Sequence, residues 1–251
     1  MEEYTPEIAI SNAEALFSSR YKGSEFCVAS GSIIQGYGTA HSDLDLVVIF
    51  QKIETAFRES FLFNGLPVEA FVHDYETIQA FMDGDYEEGH ASMQHIIATG
   101  KIIPHETEAA IKLRRYAKKI VSSGLKEPKP ETIDILRYAV TDLIDDLKGK
   151  RPLSKQRSIL YSIYQKIGEL RLRVGGQFLG SGKHLARNLK HCDPLFFDQL
   201  ESIMLNAHAD GVTPKDIILL QSLLQPLGGR LFDGYKQDAP SNKRSKVKWL
   251  E

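Results

Sequence analysis

Cysteine is scarce in this chain. Its two copies, Cys27 and Cys192, stand far apart and outside any Cys-x-x-Cys or Cys/His spacing. That excludes a disulfide framework and a zinc module, and leaves two reduced thiols, as expected of a cytoplasmic protein. An excess of charge of one sign is also missing. Lys and Arg total 31 against 33 Asp and Glu, a formal net charge of −2. Proteins built to bind long nucleic acids carry a basic excess, so no such partner is expected. No apolar run approaches the ~18–20 residues of a membrane-spanning helix, so no membrane partner is expected. The opening MEEYTPEIAI is acidic where a secretory signal would be basic and then apolar.

What remains is the composition of an ordinary globular protein, 42% hydrophobic and 25% charged over 251 residues. That length suits one large domain or two small ones. Apolar spacing along 6–20 predicts a helix and 26–29 a buried strand. A Gly-rich stretch follows over 30–41, then the best strand in the sequence, 43–50 (DLDLVVIF). Residues 52–62 read as a short helix, Asn64-Gly65 as a turn, 67–73 as a strand, and 75–83 and 90–99 as helices. Lys101 to Pro104 closes this half. From there the pattern is helical: 106–122, 131–148, 154–174, 182–190, 194–208 and 213–226, with breaks that each contain Gly or Pro. The tail SNKRSKVKWLE is basic and polar apart from Trp249 and is expected to be loosely held. The expected organisation is therefore an α+β domain over 1–104 followed by an all-α domain over 105–251.

The chemistry concentrates between residues 31 and 46, GSIIQGYGTAHSDLDL. Alternate residues on a strand share a face, so Asp43 and Asp45 project together, while Leu44, Leu46, Val48 and Phe50 point the other way into a core. Two neighbouring carboxylates repel each other, and a hard divalent cation relieves the repulsion. Mg²⁺ takes a couple of carboxylates plus phosphate oxygens of a substrate. Upstream, a strand running into Gly31-Ser32 and a helix start presents backbone N–H groups to phosphate. The Ser32 hydroxyl can add a hydrogen bond. Gly36 and Gly38 let the chain turn back. A DxD pair alone is a weak signal; the order Gly-Ser, spacer, DxD, apolar strand is a stronger one.

This run resembles the signature of the DNA-polymerase-β-like nucleotidyltransferase superfamily: a Gly-Ser dipeptide, here Gly31-Ser32, a spacer, and then His41-Ser42-Asp43-Leu44-Asp45-Leu46. The match is tight over about 20 residues and loose over about 100. The resemblance implies a nucleotidyltransferase-type mixed β-sheet with flanking helices, one or two Mg²⁺ ions, and ATP as donor. It implies transfer of AMP to a hydroxyl, with release of pyrophosphate. It places Gly31, Ser32 and Ser42 at the nucleotide. It also implies a third carboxylate on a neighbouring strand, which falls on Glu69 in PVEAFV, as a metal ligand or as general base. Asp74 is the runner-up, although its place at a strand end suits a helix cap. Length and the helical second half resemble bacterial aminoglycoside nucleotidyltransferases. By that resemblance the helical domain closes over the site, shapes a pocket for a small hydroxyl acceptor, and presents Lys183 to the triphosphate, with Arg187 as a weaker candidate.

Other signals are less specific. Gly180-Ser181-Gly182-Lys183-His184 is not a Walker A loop, because Gln177 and His184 stand where Gly and Ser or Thr are required. The acidic run Asp83-Gly84-Asp85-Tyr86-Glu87-Glu88 could attract a cationic acceptor such as an aminoglycoside, and so could Asp142, Asp145 and Asp146, but such runs are usually solvated surface. His73, His90 and His95 lack metal-ligand spacing. Two other functions stay open at this point: transfer onto a protein or RNA, and nucleotide binding without catalysis.

Overall fold

The structure is a computed structural model and describes residues 4–239. The basic tail lies outside the described residues. The chain folds as two compact units, Met1–Lys126 and Glu127–Glu251.

The first unit is built on a five-stranded mixed sheet. Its strands are β1 (Phe26–Ser30), β2 (Leu44–Phe50), β3 (Phe57–Phe63), β4 (Leu66–Asp74) and β5 (Lys101–Ile103), in the order β3-β4-β2-β1-β5. β2 runs parallel to β4 and antiparallel to β1, while β3–β4 and β1–β5 are antiparallel. One face is covered by α1 (Pro6–Ser18), whose Ala9, Ala13 and Leu16 pack on Leu44, Leu46 and Val48. The opposite face carries α2 (Tyr75–Glu88), α3 (Ser92–Thr99) and α4 (Glu108–Ser123) over Val28, Val47 and Ile49. Burying each of the larger apolar side chains stabilises by roughly 1.5–3 kcal/mol. That stabilisation fixes the register of β2, because a one-residue slip would turn Leu44 and Leu46 away from α1 and Asp45 into the α1 core.

Residues 52–62 are not a helix. Most of them form β3, whose alternation decides the outcome. Phe61 and Phe63 pack on the α1 face, and Glu59 accepts hydrogen bonds there from Arg20 Nε at 3.0 Å and the Tyr21 hydroxyl at 2.8 Å. Arg58, Ser60 and Leu62 point to the other face. Asn64 (φ 50°) and Gly65 (φ 82°) make the two-residue turn into β4, and both need the left-handed region such a turn demands. Hairpin pairing with β4 outweighs the local helical spacing.

The expected division at 104/105 falls too early. α4 buries Ala110 and Ala117 in the core of the first unit, so the division comes after Lys126. The second unit is helical: α5 (Pro130–Lys148), α6 (Leu153–Val174), α7 (Lys183–Cys192), α8 (Pro194–Asp210) and α9 (Pro214–Leu224) share one core that includes Val140, Ile163, Ile167 and Leu220. The segment after α9 is tied across α5. Leu231 N–H donates to Thr141 Oγ1 at 3.1 Å, and the rings of Tyr138 and Tyr235 stack at 4.1 Å. The fold class is α+β with a helical C-terminal part, as expected. No described helix is long and apolar enough to cross a membrane.

Asp74 is a helix cap. It is 2% exposed and accepts from Thr77 N at 2.9 Å, in a capping box that opens α2. The bonds from Thr77 hold its carboxyl down at about 2. Because that value lies below the unfolded one of about 3.9, the cap stabilises at neutral pH. Its contribution fades as pH falls from the unfolded value towards 2. Asp74→Ala is expected to lower the thermal midpoint by a few degrees at pH 7. Melts recorded down an acid series should show the gap to wild type closing.

Candidate metal and nucleotide site

The site forms where β1, β2 and β4 meet on the face opposite α1. Asp43 immediately precedes β2 and Asp45 is its second residue. Pairing sets Asp45 opposite Ser30 of β1 on one side and Glu69 of β4 on the other. This register brings together one donor atom each from Asp43, Asp45 and Glu69, all within 4.8 Å of one another. Asp43 is exposed, whereas Asp45 and Glu69 are half-buried. The three residues assigned from sequence to metal binding and catalysis thus share one place.

The donor set suits a small hard cation. Oxygen ligands on octahedral Mg²⁺ lie roughly 3 Å apart when adjacent and roughly 4 Å when opposite, so the three carboxylates would draw together to share one ion. Three carboxylates this close repel one another, and a divalent ion offsets that cost.

The Gly31 turn is built around the same carboxylates. Gly31 has φ +102°, and a Cβ there would lie 3.1 Å from both Asp45 Oδ2 and the Asp43 carbonyl. Glycine is therefore required twice over, for its backbone conformation and for space. The expected helix start after Gly31 is instead a hydrogen-bonded turn. Gln35 N donates to Gly31 O at 3.2 Å and Tyr37 N to Ser32 O at 3.0 Å. Gly36 at φ +80° then ends it, and Gly38 passes so close to Ile33 that a Cβ would sit 2.8 Å from Ile33 Cγ1. The amides of Ser32, Ile33 and Ile34 precede the first hydrogen-bonded amide of this turn.

Ser32 and Ser42 are bonded to each other. Ser32 Oγ donates to Ser42 Oγ at 2.9 Å, Thr39 N donates to the same oxygen at 2.8 Å, and Ser42 N donates to Thr39 O at 2.9 Å. Ser42 closes the loop just before Asp43, which makes it a positioning residue.

Two neighbours escape a reading of the sequence that takes β3 for a helix. Arg58 Nη2 forms an ion pair with Glu69 Oε1, and Ser60 Oγ lies 3.5 Å from the same oxygen. The Asn64-Gly65 turn between two apolar stretches is the signal that could have placed both beside Glu69.

Elsewhere several carboxylates of the acidic runs are engaged. Glu87 pairs with Lys126, Asp83 accepts from the Tyr116 hydroxyl at 2.6 Å, Asp145 pairs with Arg230 and Lys148, and Asp146 pairs with Arg151. His73 is 3% exposed against the Phe81 ring, and burial holds its pKa below the ordinary value. It is a core residue. Lys183 is the first residue of α7 in the second unit, after Gly182. Arg187 Nη2 lies 2.9 Å from His184 Nδ1 on the same helix. Burial, then Arg187 and Lys183, hold the His184 pKa down, which marks this helix start as electropositive.

No protein-family model matches the chain, and no curated protein does. Among solved structures it is similar to a nucleotidyltransferase-like protein from Exiguobacterium sibiricum. The two share 13% identity over 86% of this chain and 73% of that one, with a TM-score of 0.44. A likeness at that level assigns neither family nor activity, and the functional reading rests on the geometry above.

Proposed function

We propose that the chain is a Mg²⁺-dependent nucleotidyltransferase that moves AMP from ATP to a hydroxyl of a small molecule and releases pyrophosphate. The observation that carries this reading is the convergence of Asp43, Asp45 and Glu69 beside the Gly31 turn. Asp43 and Asp45 would hold the ion. When bound, it supplies positive charge to the triphosphate and to the departing pyrophosphate. In this reading the amides of Ser32, Ile33 and Ile34, which precede the first hydrogen-bonded amide of the turn, would receive phosphate oxygens. Glu69 either completes the ion's ligands or takes the proton of the attacking hydroxyl, and geometry in the loaded site decides which. Lys183 is assigned to the triphosphate by the sequence resemblance. Aminoglycoside-type antibiotics are the specific acceptor suggested by that resemblance, with a role in resistance. The pairing of Glu87, Asp145 and Asp146 with basic neighbours leaves those three carboxylates less available to a cationic acceptor.

The test is an acceptor panel incubated with ATP and Mg²⁺ and read for pyrophosphate and for adenylylated product by mass. The panel includes aminoglycosides, neutral hydroxyl compounds, a protein lysate and RNA. Release that depends on a small acceptor and stops with EDTA supports the proposal. Release that needs RNA or protein redirects it to a macromolecular acceptor, and ATP binding without release under any condition contradicts it.

A further inference from the structure

We infer that Arg58 is a built-in counter-cation. Its guanidinium holds Glu69 while the carboxylate cluster is free of a divalent ion and gives that carboxylate up when the ion enters. The inference rests on the reading of Asp43, Asp45 and Glu69 as a divalent-cation site.

Arg58 stands on β3 opposite Phe71, while Ser60 stands opposite Glu69. The side chains of Arg58 and Glu69 are therefore diagonal neighbours on the face that carries the cluster. Arg58 reaches in from solvent, its side chain 62% exposed, over a Glu69 side chain only 20% exposed. Its pairing atom and Ser60 Oγ both converge on Glu69 Oε1. Three carboxylates within 4.8 Å carry a repulsion that this guanidinium partly relieves. A divalent ion brings twice the charge to the same carboxylate and repels a neighbouring guanidinium. The two cations therefore compete, and the affinity of the site for metal is what remains after Arg58 is displaced.

Displacement is structurally cheap. β3 lies at the edge of the sheet, and Arg58 already sits on the Phe71 ring, its Cζ 5.3 Å from the centroid. That ring is a resting place the guanidinium keeps without Glu69.

The experiment titrates Mn²⁺ into the full chain without nucleotide, read by calorimetry or by electron paramagnetic resonance. It compares wild type, Arg58→Met, Arg58→Lys and Glu69→Gln. Methionine keeps an apolar stem on Phe71 and removes the charge. Arg58→Met is expected to bind Mn²⁺ roughly tenfold more tightly than wild type, the scale of removing one nearby charge in a partly solvated site. Arg58→Lys should stay near wild type and Glu69→Gln should bind more weakly. In thermal melts, Arg58→Met should unfold below wild type in EDTA, and the gap should close at saturating Mn²⁺. Equal or weaker binding by Arg58→Met overturns the inference. So does a melting gap that persists with metal, or Arg58→Lys binding as tightly as Arg58→Met. If wild type itself takes up no Mn²⁺, the divalent-site reading falls and this inference with it.

Discussion

Asp45→Asn is expected to reduce nucleotidyl transfer by at least about a thousandfold, a loss of roughly 4 kcal/mol of transition-state stabilisation. The substitution keeps the size of the side chain, so Leu44, Leu46 and Val48 still pack against α1 and the strand keeps its register. What it removes is a charged oxygen donor from a cluster that spans 4.8 Å. An amide is a poor ligand for Mg²⁺ and cannot offset the charge of a dication. The measurement is kcat/KM for the acceptor found in the panel, together with circular dichroism to confirm an intact fold. Asp43→Asn should behave in the same way, since Asp43 offers the second donor. Turnover unchanged in both variants would remove the metal from the mechanism.

Gly31→Ala should also impair the proposed transfer strongly, for a different reason. A residue with a Cβ at φ +102° pays roughly 1–3 kcal/mol of backbone strain. The added carbon also presses on Asp45 Oδ2 and on the Asp43 carbonyl, each 3.1 Å away, so relief of the contact must shift the Asp45 side chain or the backbone at Asp43. Gly23 provides an internal control. Its φ of +93° is similar, but nothing lies within 4 Å of a Cβ built there. Gly31→Ala should lose at least as much thermal stability as Gly23→Ala, since it adds the contact to the backbone strain. Only Gly31→Ala should lose Mn²⁺ affinity, with transfer down about a hundredfold, a drop of roughly 2.7 kcal/mol. Equal metal affinity in the two variants would mean that the Gly31 turn serves the fold alone.

These effects depend on features legible in the sequence to very different degrees. The strand at Leu44–Phe50 is readable because its apolar residues are continuous and its neighbours are turn formers. The pairing of Asp43 with Asp45 follows from strand alternation. The approach of Glu69 does not follow from spacing, because it depends on which strand lies beside β2, and a parallel neighbour 24 residues on is a tertiary fact. It comes from the resemblance to nucleotidyltransferases, and the register Asp45↔Glu69 agrees with it. Strand β3 is hidden because Arg58, Glu59 and Ser60 interrupt its apolar pattern, and each is explained only by a partner elsewhere: Glu69 for Arg58 and Ser60, Arg20 and Tyr21 for Glu59. Helix α4 falls on the wrong side of the expected division because the break before it looks like the break after it. Only the burial of Ala110 and Ala117 separates the two. The loop between Gly31 and Asp43 is recognisable by its glycines, but its closure by Ser32, Thr39 and Ser42 emerges only in three dimensions.

The most direct test of the central claim is an anomalous difference map from crystals grown with Mn²⁺ and a non-hydrolysable ATP analogue. A peak roughly 2–2.3 Å from carboxylate oxygens of both Asp43 and Asp45, touching the triphosphate beside Gly31, is the predicted result. A nucleotide bound elsewhere, or a map with no peak between those two side chains, would contradict it.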